Sequence, residues 1–128
     1  MAKFAYSAPP AITPVIPDDL WELVDDWRFT YGEAEYCVPA GFLTDGASIP
    51  RILWRVCGHP MTAQRLPAAL AHDWAYSGES AGVFTRADAD MLYRDALIAS
   101  GFPAWKASLE YYTLRLFGGS HYTKPAPQ

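Results

Sequence analysis

Along residues 20–38 apolar and polar positions alternate with the period of a strand. Trp21-Glu-Leu-Val24, Trp27-Arg-Phe-Thr-Tyr31 and Glu35-Tyr-Cys-Val38 are rich in aromatic and β-branched side chains, with Asp25-Asp26 and Gly32-Glu33-Ala34 between them. This pattern predicts a small antiparallel β-meander. After Pro39 and Gly41 the period becomes helical. A short helix is expected through Trp54 and Val56, N-capped by Ser48, with Pro50 in its first turn and Gly58 past its end. A second should run from about Pro67 to Tyr76. At about 100° per residue, Ala69, His72, Asp73 and Tyr76 share one face of it and Leu70 and Trp74 the opposite one, so the helix should be central. A third starts at the capping-box-like Thr85-Arg-Ala-Asp88 and stops at Gly101. A fourth follows Pro103, ends at Gly118-Gly119 and carries Trp105, Leu109, Tyr112 and Leu116 on one stripe, which is expected to face the core. The reading is an α+β fold: a small antiparallel meander followed by three to four helices packed on it in a single domain.

Prolines at 9, 10, 14 and 17 make residues 1–20 an extended arm, because proline lacks a backbone donor and restricts the residue before it. Ile12, Val15 and Ile16 give this arm apolar side chains to bury, most simply on its own domain. Residues 21–120 then form the domain and residues 121–128 a flexible tail. The chain has 128 residues, of which 51% are hydrophobic and 19% charged, which suits one folded domain and argues against disorder. Nothing at the start resembles a secretion signal, and no window approaches the roughly 20 apolar residues of a membrane span. A formal charge of −4, with Arg51, Arg55, Arg65, Arg86 and Lys106 scattered along the chain, disfavours a nucleic-acid surface. Cys37 and Cys57 read as separate thiols. Cys57 and His59 have no companion pair at zinc-site spacing.

The densest polar signal in an apolar setting is His72-Asp73, inside Leu66-Pro-Ala-Ala-Leu-Ala-His-Asp-Trp-Ala-Tyr76. Burying such a pair without partners costs about 1–3 kcal/mol for each polar group. Three readings are open: a divalent-metal site, acid–base chemistry, or a structural network fixing the helix. The loop Gly41-Phe-Leu-Thr-Asp-Gly-Ala-Ser-Ile-Pro50 adds Asp45 and Ser48, with a helix start behind them. On the chemical reading Asp45, Ser48, His72 and Asp73 are catalytic, and Asp45, His72, Asp73 and Asp90 are metal ligands. Asp90 has Arg86 and Arg94 at i−4 and i+4. An ordinary surface pair with Arg94, worth about 0.3–0.5 kcal/mol, is the plain alternative for it. Tyr111, Tyr112 and Arg115 are further ligand-contact candidates, with Tyr112 assigned to the packing stripe.

Several segments together resemble the domain-of-unknown-function family 1353: Val38-Pro-Ala-Gly-Phe42, Thr44-Asp-Gly-Ala-Ser-Ile-Pro-Arg51, His72-Asp-Trp-Ala-Tyr76, Arg86 with Ala89-Asp90, and the closing Tyr112, Arg115 and Gly118-Gly119. The resemblance covers residues 38–119 and leaves 1–20 outside. Gly46 and Trp74 depart from the residues usual there, without removing a candidate ligand. The resemblance implies a bacteriophage or prophage origin and no established activity. Two functions follow as expectations. One is a virion, tail-associated or host-interacting component, made in the host cytoplasm, whose partners are phage structural proteins or further copies of itself. The other is a metal-dependent phage hydrolase with a His-Asp/Asp site, acting on cell-wall or phosphorylated substrates. A likeness to phosphohydrolases with a histidine–aspartate doublet is weaker, since those domains are all-helical and use further ligands.

Overall fold

The computed structural model describes residues 3–18, 20–45, 49–57, 59, 61–80, 83–117, 119 and 122. Two three-stranded antiparallel sheets are followed by four helices, an α+β arrangement. The first sheet has the order β1 (Phe4–Ala5), β4 (Trp27–Tyr31), β5 (Ala34–Val38), and the second the order β2 (Ile12–Val15), β3 (Leu20–Leu23), β6 (Leu43–Thr44). The β4–β5 hairpin pairs Trp27 with Val38 and Tyr31 with Ala34, and Gly32 takes φ +65° at the turn. A side chain there would be strained, which is why the turn falls at this glycine.

The meander is not continuous. The strand expected at 21–24 leaves the hairpin and joins the second sheet, because each of its edges is taken by another partner. β2 pairs along one edge, with Ile12 opposite Leu23, and β6 along the other, with Trp21 opposite Thr44. Phe4–Ala5 fills the edge of β4 that β3 would otherwise occupy, and the Asp26 carboxylate accepts from the Ala40 amide at 2.7 Å across the bend. The N-terminal segment is therefore extended and woven into both sheets of its own domain. Phe4 is buried, and the Trp27 indole N–H donates to the Ala8 carbonyl at 2.9 Å.

Strand alternation sets the layer contacts. Trp27 and Phe29 point inward while Arg28 and Thr30 point to solvent. Phe4, Trp27 and Phe29 form a tilted aromatic row, and Phe29 meets Trp74 edge-on at 6.1 Å. Among the described residues four α-helices complete the fold: α1 (Arg51–Cys57), α2 (Leu66–Tyr76), α3 (Arg86–Ala99) and α4 (Ala104–Phe117). α2 is central as expected, with every residue buried except the half-buried Asp73. A helix apolar on all sides must be surrounded; it packs on α3, and α3 packs on α4. Thr85 caps α3 by accepting from the Asp88 amide at 3.1 Å, and Gly101 at φ +97° closes it. Tyr122, past α4, donates its hydroxyl to the Phe84 carbonyl at 2.8 Å. Among the described residues no helix is long and apolar enough to cross a membrane.

The expected orientation of α4 is reversed. Trp105, Leu109, Tyr112 and Leu116 leave 53–77% of their surface exposed, whereas Ala107, Glu110 and Leu114 are buried. Hydrophobicity alone selects the wrong face, because the inward side is anchored by a charged residue whose partner lies on another element.

Candidate functional site

The described residues form both sealed and open polar constellations. One sealed constellation is built on Asp90 of α3. Its Oδ1 lies 2.8 Å from His72 Nε2 and also accepts from the Tyr76 hydroxyl, while its Oδ2 accepts from Arg115 at 2.9 Å. His72 and Tyr76 are one helical turn apart on α2, which aims both side chains at one carboxylate. Against an ionised carboxylate, which only accepts, His72 donates from Nε2. Arg86 extends the cluster: its Nε donates to the Tyr76 hydroxyl at 3.3 Å, and its Nη2 donates to the Leu114 and Arg115 carbonyls at 2.7 and 2.9 Å. Those two carbonyls belong to the last turn of α4, whose acceptors have no intrahelical partner. One network therefore ties α2, α3 and α4 together. His72 and Asp90 have 0% exposure.

The expected surface pair of Asp90 with Arg94 does not form. Arg94 points the other way, donating to Ser108 at 3.0 Å, and Asp90 turns inward to donors from two neighbouring helices. Burial alone raises the pKa of Asp90, but hydrogen bonds from His72, Tyr76 and Arg115 outweigh it and hold the carboxyl below its usual range. Burial first, then the bond to Asp90, pushes the Tyr76 hydroxyl well above the usual tyrosine range. Signs follow from linkage. A depressed carboxyl contributes stability that is present above its unfolded value near 4 and lost as pH falls through the folded value. A raised tyrosine contributes stability that is present below its unfolded value near 10 and lost as pH rises through the folded value. Urea midpoints measured against pH should therefore fall as the pH drops below about 4 and as it rises above about 10, and Asp90→Asn should flatten the acid limb. An acid limb unchanged in that variant would contradict the assignment.

Sequence reasoning missed a second buried cluster. Arg65, just before α2, bonds Glu110 of α4 and the Tyr93 hydroxyl of α3, the latter at 3.0 Å, and Tyr93 donates to Glu110 at 2.9 Å. Burial lowers the pKa of the guanidinium, but Tyr93 and Glu110 more than compensate, so it is raised overall. A third tie joins sheet to helix, where the Tyr31 hydroxyl donates to Asp95 at 2.7 Å. The available signals were a charge between Leu109 and Tyr111 and another between Arg94 and Ala96, each on an otherwise apolar arc.

One open constellation surrounds Asp45. β6 pairs with β3 so that Thr44 lies opposite Trp21, and Asp45 follows at the strand end. Asp45, Asp18 and Trp21 from the second sheet and its loops, with Arg51 and Trp54 of α1 and His59 behind it, line a cleft of about 530 Å³. None of His72, Asp73 and Asp90 lines it. Of the proposed ligands His72 and Asp90 meet. Asp73 lies on the half-buried side of α2, Asp45 is exposed, and Ser48 lies outside the described residues. Among the described residues no group of three or more His, Cys, Asp or Glu side chains could hold a metal ion. Asp90, moreover, already uses both oxygens on protein donors. The His72–Asp90 pair can fix helices and neutralise Arg115.

A family model described as "Protein of unknown function (DUF1353)" matches residues 21–114. The chain is 32% identical over 103 residues to "Uncharacterized protein y4jT" of Sinorhizobium fredii (strain NBRC 101917 / NGR234), covering 80% of this chain and 30% of that protein. It is 36% identical over 75 residues to "Uncharacterized protein y4iH" of the same organism, covering 59% of this chain and 30% of that protein. The chain thus spans about 30% of the length of the curated relatives it matches. No solved structure matches it.

Proposed function

For this chain, which belongs to the family of unknown function DUF1353, we propose a non-enzymatic role as a phage virion or tail-associated protein that docks a structural partner on α4. The observation that carries the reading is the exposed stripe Trp105, Leu109, Tyr112, Leu116, continued by Phe117. Steps of four, three and four residues are those of a coiled-coil seam, which stays dry only against a second helix. A contiguous apolar strip of this kind marks an interaction surface.

The flanks select the partner. In heptad terms Lys106 and Thr113 border the stripe on one side and Ser108 and Arg115 on the other; Arg115 is paired with Asp90, which leaves Lys106 as the basic flank. Glu110, the acidic residue of α4, faces the core. A second copy would set basic and neutral flanks against the same, so self-pairing gains nothing electrostatically. The occupant that fits is an amphipathic helix of another phage structural protein, apolar on one face and acidic beside it. The protein is then made in the host cytoplasm and carried into the particle.

The hydrolase reading has less support, because it needs Asp45, His72, Asp73 and Asp90 around one metal, and these groups form no such cluster. The test is site-specific: a photo-crosslinking residue at Leu109, activated in assembled particles, with the attached peptide identified by mass spectrometry. The expected product is one acidic, amphipathic helical segment of a structural protein. Crosslinks to a second copy of this chain, or none at Leu109 in particles that contain the protein, would overturn the reading.

A further inference from the structure

Among the described residues each three-stranded sheet has two edges, and three of the four are blunted. β1 and β6 are two residues long, and β2 carries Pro14. The fourth edge, β5, has five residues and neither proline nor lysine. Hydrogen-bond alternation fixes which of its backbone groups look outward. The Gly32 amide donates to the Lys3 carbonyl at 3.0 Å, so Gly32 and, two residues back, Thr30 turn toward β1, whereas Trp27, Phe29 and Tyr31 exchange bonds with Val38, Tyr36 and Ala34. The amides and carbonyls of Glu35 and Cys37 therefore point away from β4, and among the described residues no strand pairs with them.

We propose that this edge pairs antiparallel with the same edge of a second copy of the chain, joining two three-stranded sheets into one of six strands. The register follows from the residues, because only outward-facing groups can bond across the joint. Centring it on Cys37 sets Glu35 against Pro39, which has no amide N–H and whose carbonyl already accepts from the Phe42 amide at 3.2 Å. Centring it on Glu35 sets two carboxylates directly opposite each other. Centring it on Tyr36 sets Glu35 against Cys37 twice, which makes four backbone hydrogen bonds with no proline and no like charges directly opposite. The outer face is then complementary. Arg28 lies across from Cys37, and its guanidinium is 3.6 Å from its own Glu35 carboxylate, with both side chains 61% exposed. In the joined sheet Glu35 of the second copy lies just beyond the small Cys37, in the same row as Arg28, so two carboxylates are bracketed by two guanidiniums. On the inner face the two Tyr36 rings, each half-buried against Phe29, Trp74 and Phe84, become a cross-strand aromatic pair. The joint uses no residue of α4.

The experiment is sedimentation velocity of the full chain under reducing conditions over a concentration series. Four backbone bonds make a small joint, so the expected result is a reversible dimer with a Kd of about 10 µM to 1 mM. Cys37→Pro removes an outward N–H and leaves the β4 ladder intact, and Glu35→Arg surrounds the joint with like charges; each should weaken dimerisation by about tenfold or more. Glu35→Arg changes an exposed side chain and keeps its melting curve, so the test stands even where Cys37→Pro fails to fold. The register is read separately. On oxidation of the Glu35→Cys protein, peptide mapping should find the introduced thiol linked to Cys37 of the second copy, since directly opposed strand residues lie within disulfide reach. A single-chain mass at every concentration, a dimer that Glu35→Arg leaves unchanged, or links that join only like positions would overturn the proposal. Because these positions lie outside α4, failure here leaves the docking reading intact, and loss of the Leu109 crosslink leaves this joint intact.

Discussion

Replacing Asp90 by alanine should lower the unfolding free energy by roughly 3–5 kcal/mol, the range for removing one member of a buried charged pair. The size follows from what is left behind. Arg115 loses its carboxylate, and His72 and Tyr76 lose the acceptor that both share, in a site with no exposure for His72 or Asp90. In a chain of 128 residues this corresponds to a melting temperature lower by roughly 10–20 °C. Tyr76→Phe, which removes one donor and leaves the charge pair intact, should cost only about 1–2 kcal/mol. Urea denaturation of the three proteins checks the ordering. An Asp90→Ala protein as stable as the parent would show that the network holds nothing together.

Arg65→Met should be comparably damaging, again by roughly 3–5 kcal/mol, since it strands the Glu110 carboxylate in the interior. Glu110 Oε1 accepts from Arg65 and Tyr93, whereas the buried Oε2 has no hydrogen-bond partner among the described residues. Without the guanidinium the carboxylate keeps one hydroxyl donor. The double variant Arg65→Met, Glu110→Leu should recover most of the loss, because a pair removed whole leaves no uncompensated charge. Denaturant midpoints of parent, singles and double form a cycle whose coupling should exceed about 2 kcal/mol. Additive losses would mean that the two residues act separately.

Legibility followed the range of the interaction. The strands at 27–31 and 34–38, the turn at Gly32, the Thr85 cap and the Gly101 stop are local, and their residues announce them. The centrality of α2 was equally readable, since apolar residues on opposite faces leave nowhere else to put it. What could not be read is what depends on contacts distant in sequence. β3 exchanges one neighbour for two others because Ile12–Val15 and Leu43–Thr44 claim its edges. Glu110 turns inward only because Arg65, 45 positions earlier, meets it there. That contact, with the Arg115–Asp90 and Arg94–Ser108 bonds, holds α4 in the orientation that leaves its larger apolar residues in solvent. The candidate site divides in the same way. The doublet on α2 was correctly singled out as needing partners, but nothing local distinguishes His72, which faces Asp90, from Asp73, which does not. Asp45 was found from its loop. Its companions Trp21, Trp54 and His59 come from separate elements and were not.

On the proposed reading the His72–Asp90 cluster holds the helices together and a partner docks on the outer face of α4. The most direct test of this reading is the Leu109 crosslink repeated in an Asp90→Asn background, at a temperature where that variant is folded by circular dichroism. The account predicts the same partner peptide at the same yield per folded molecule, although the variant melts earlier. Loss of the crosslink from folded Asp90→Asn protein would contradict it, by showing that the buried carboxylate does more than hold the helices in place.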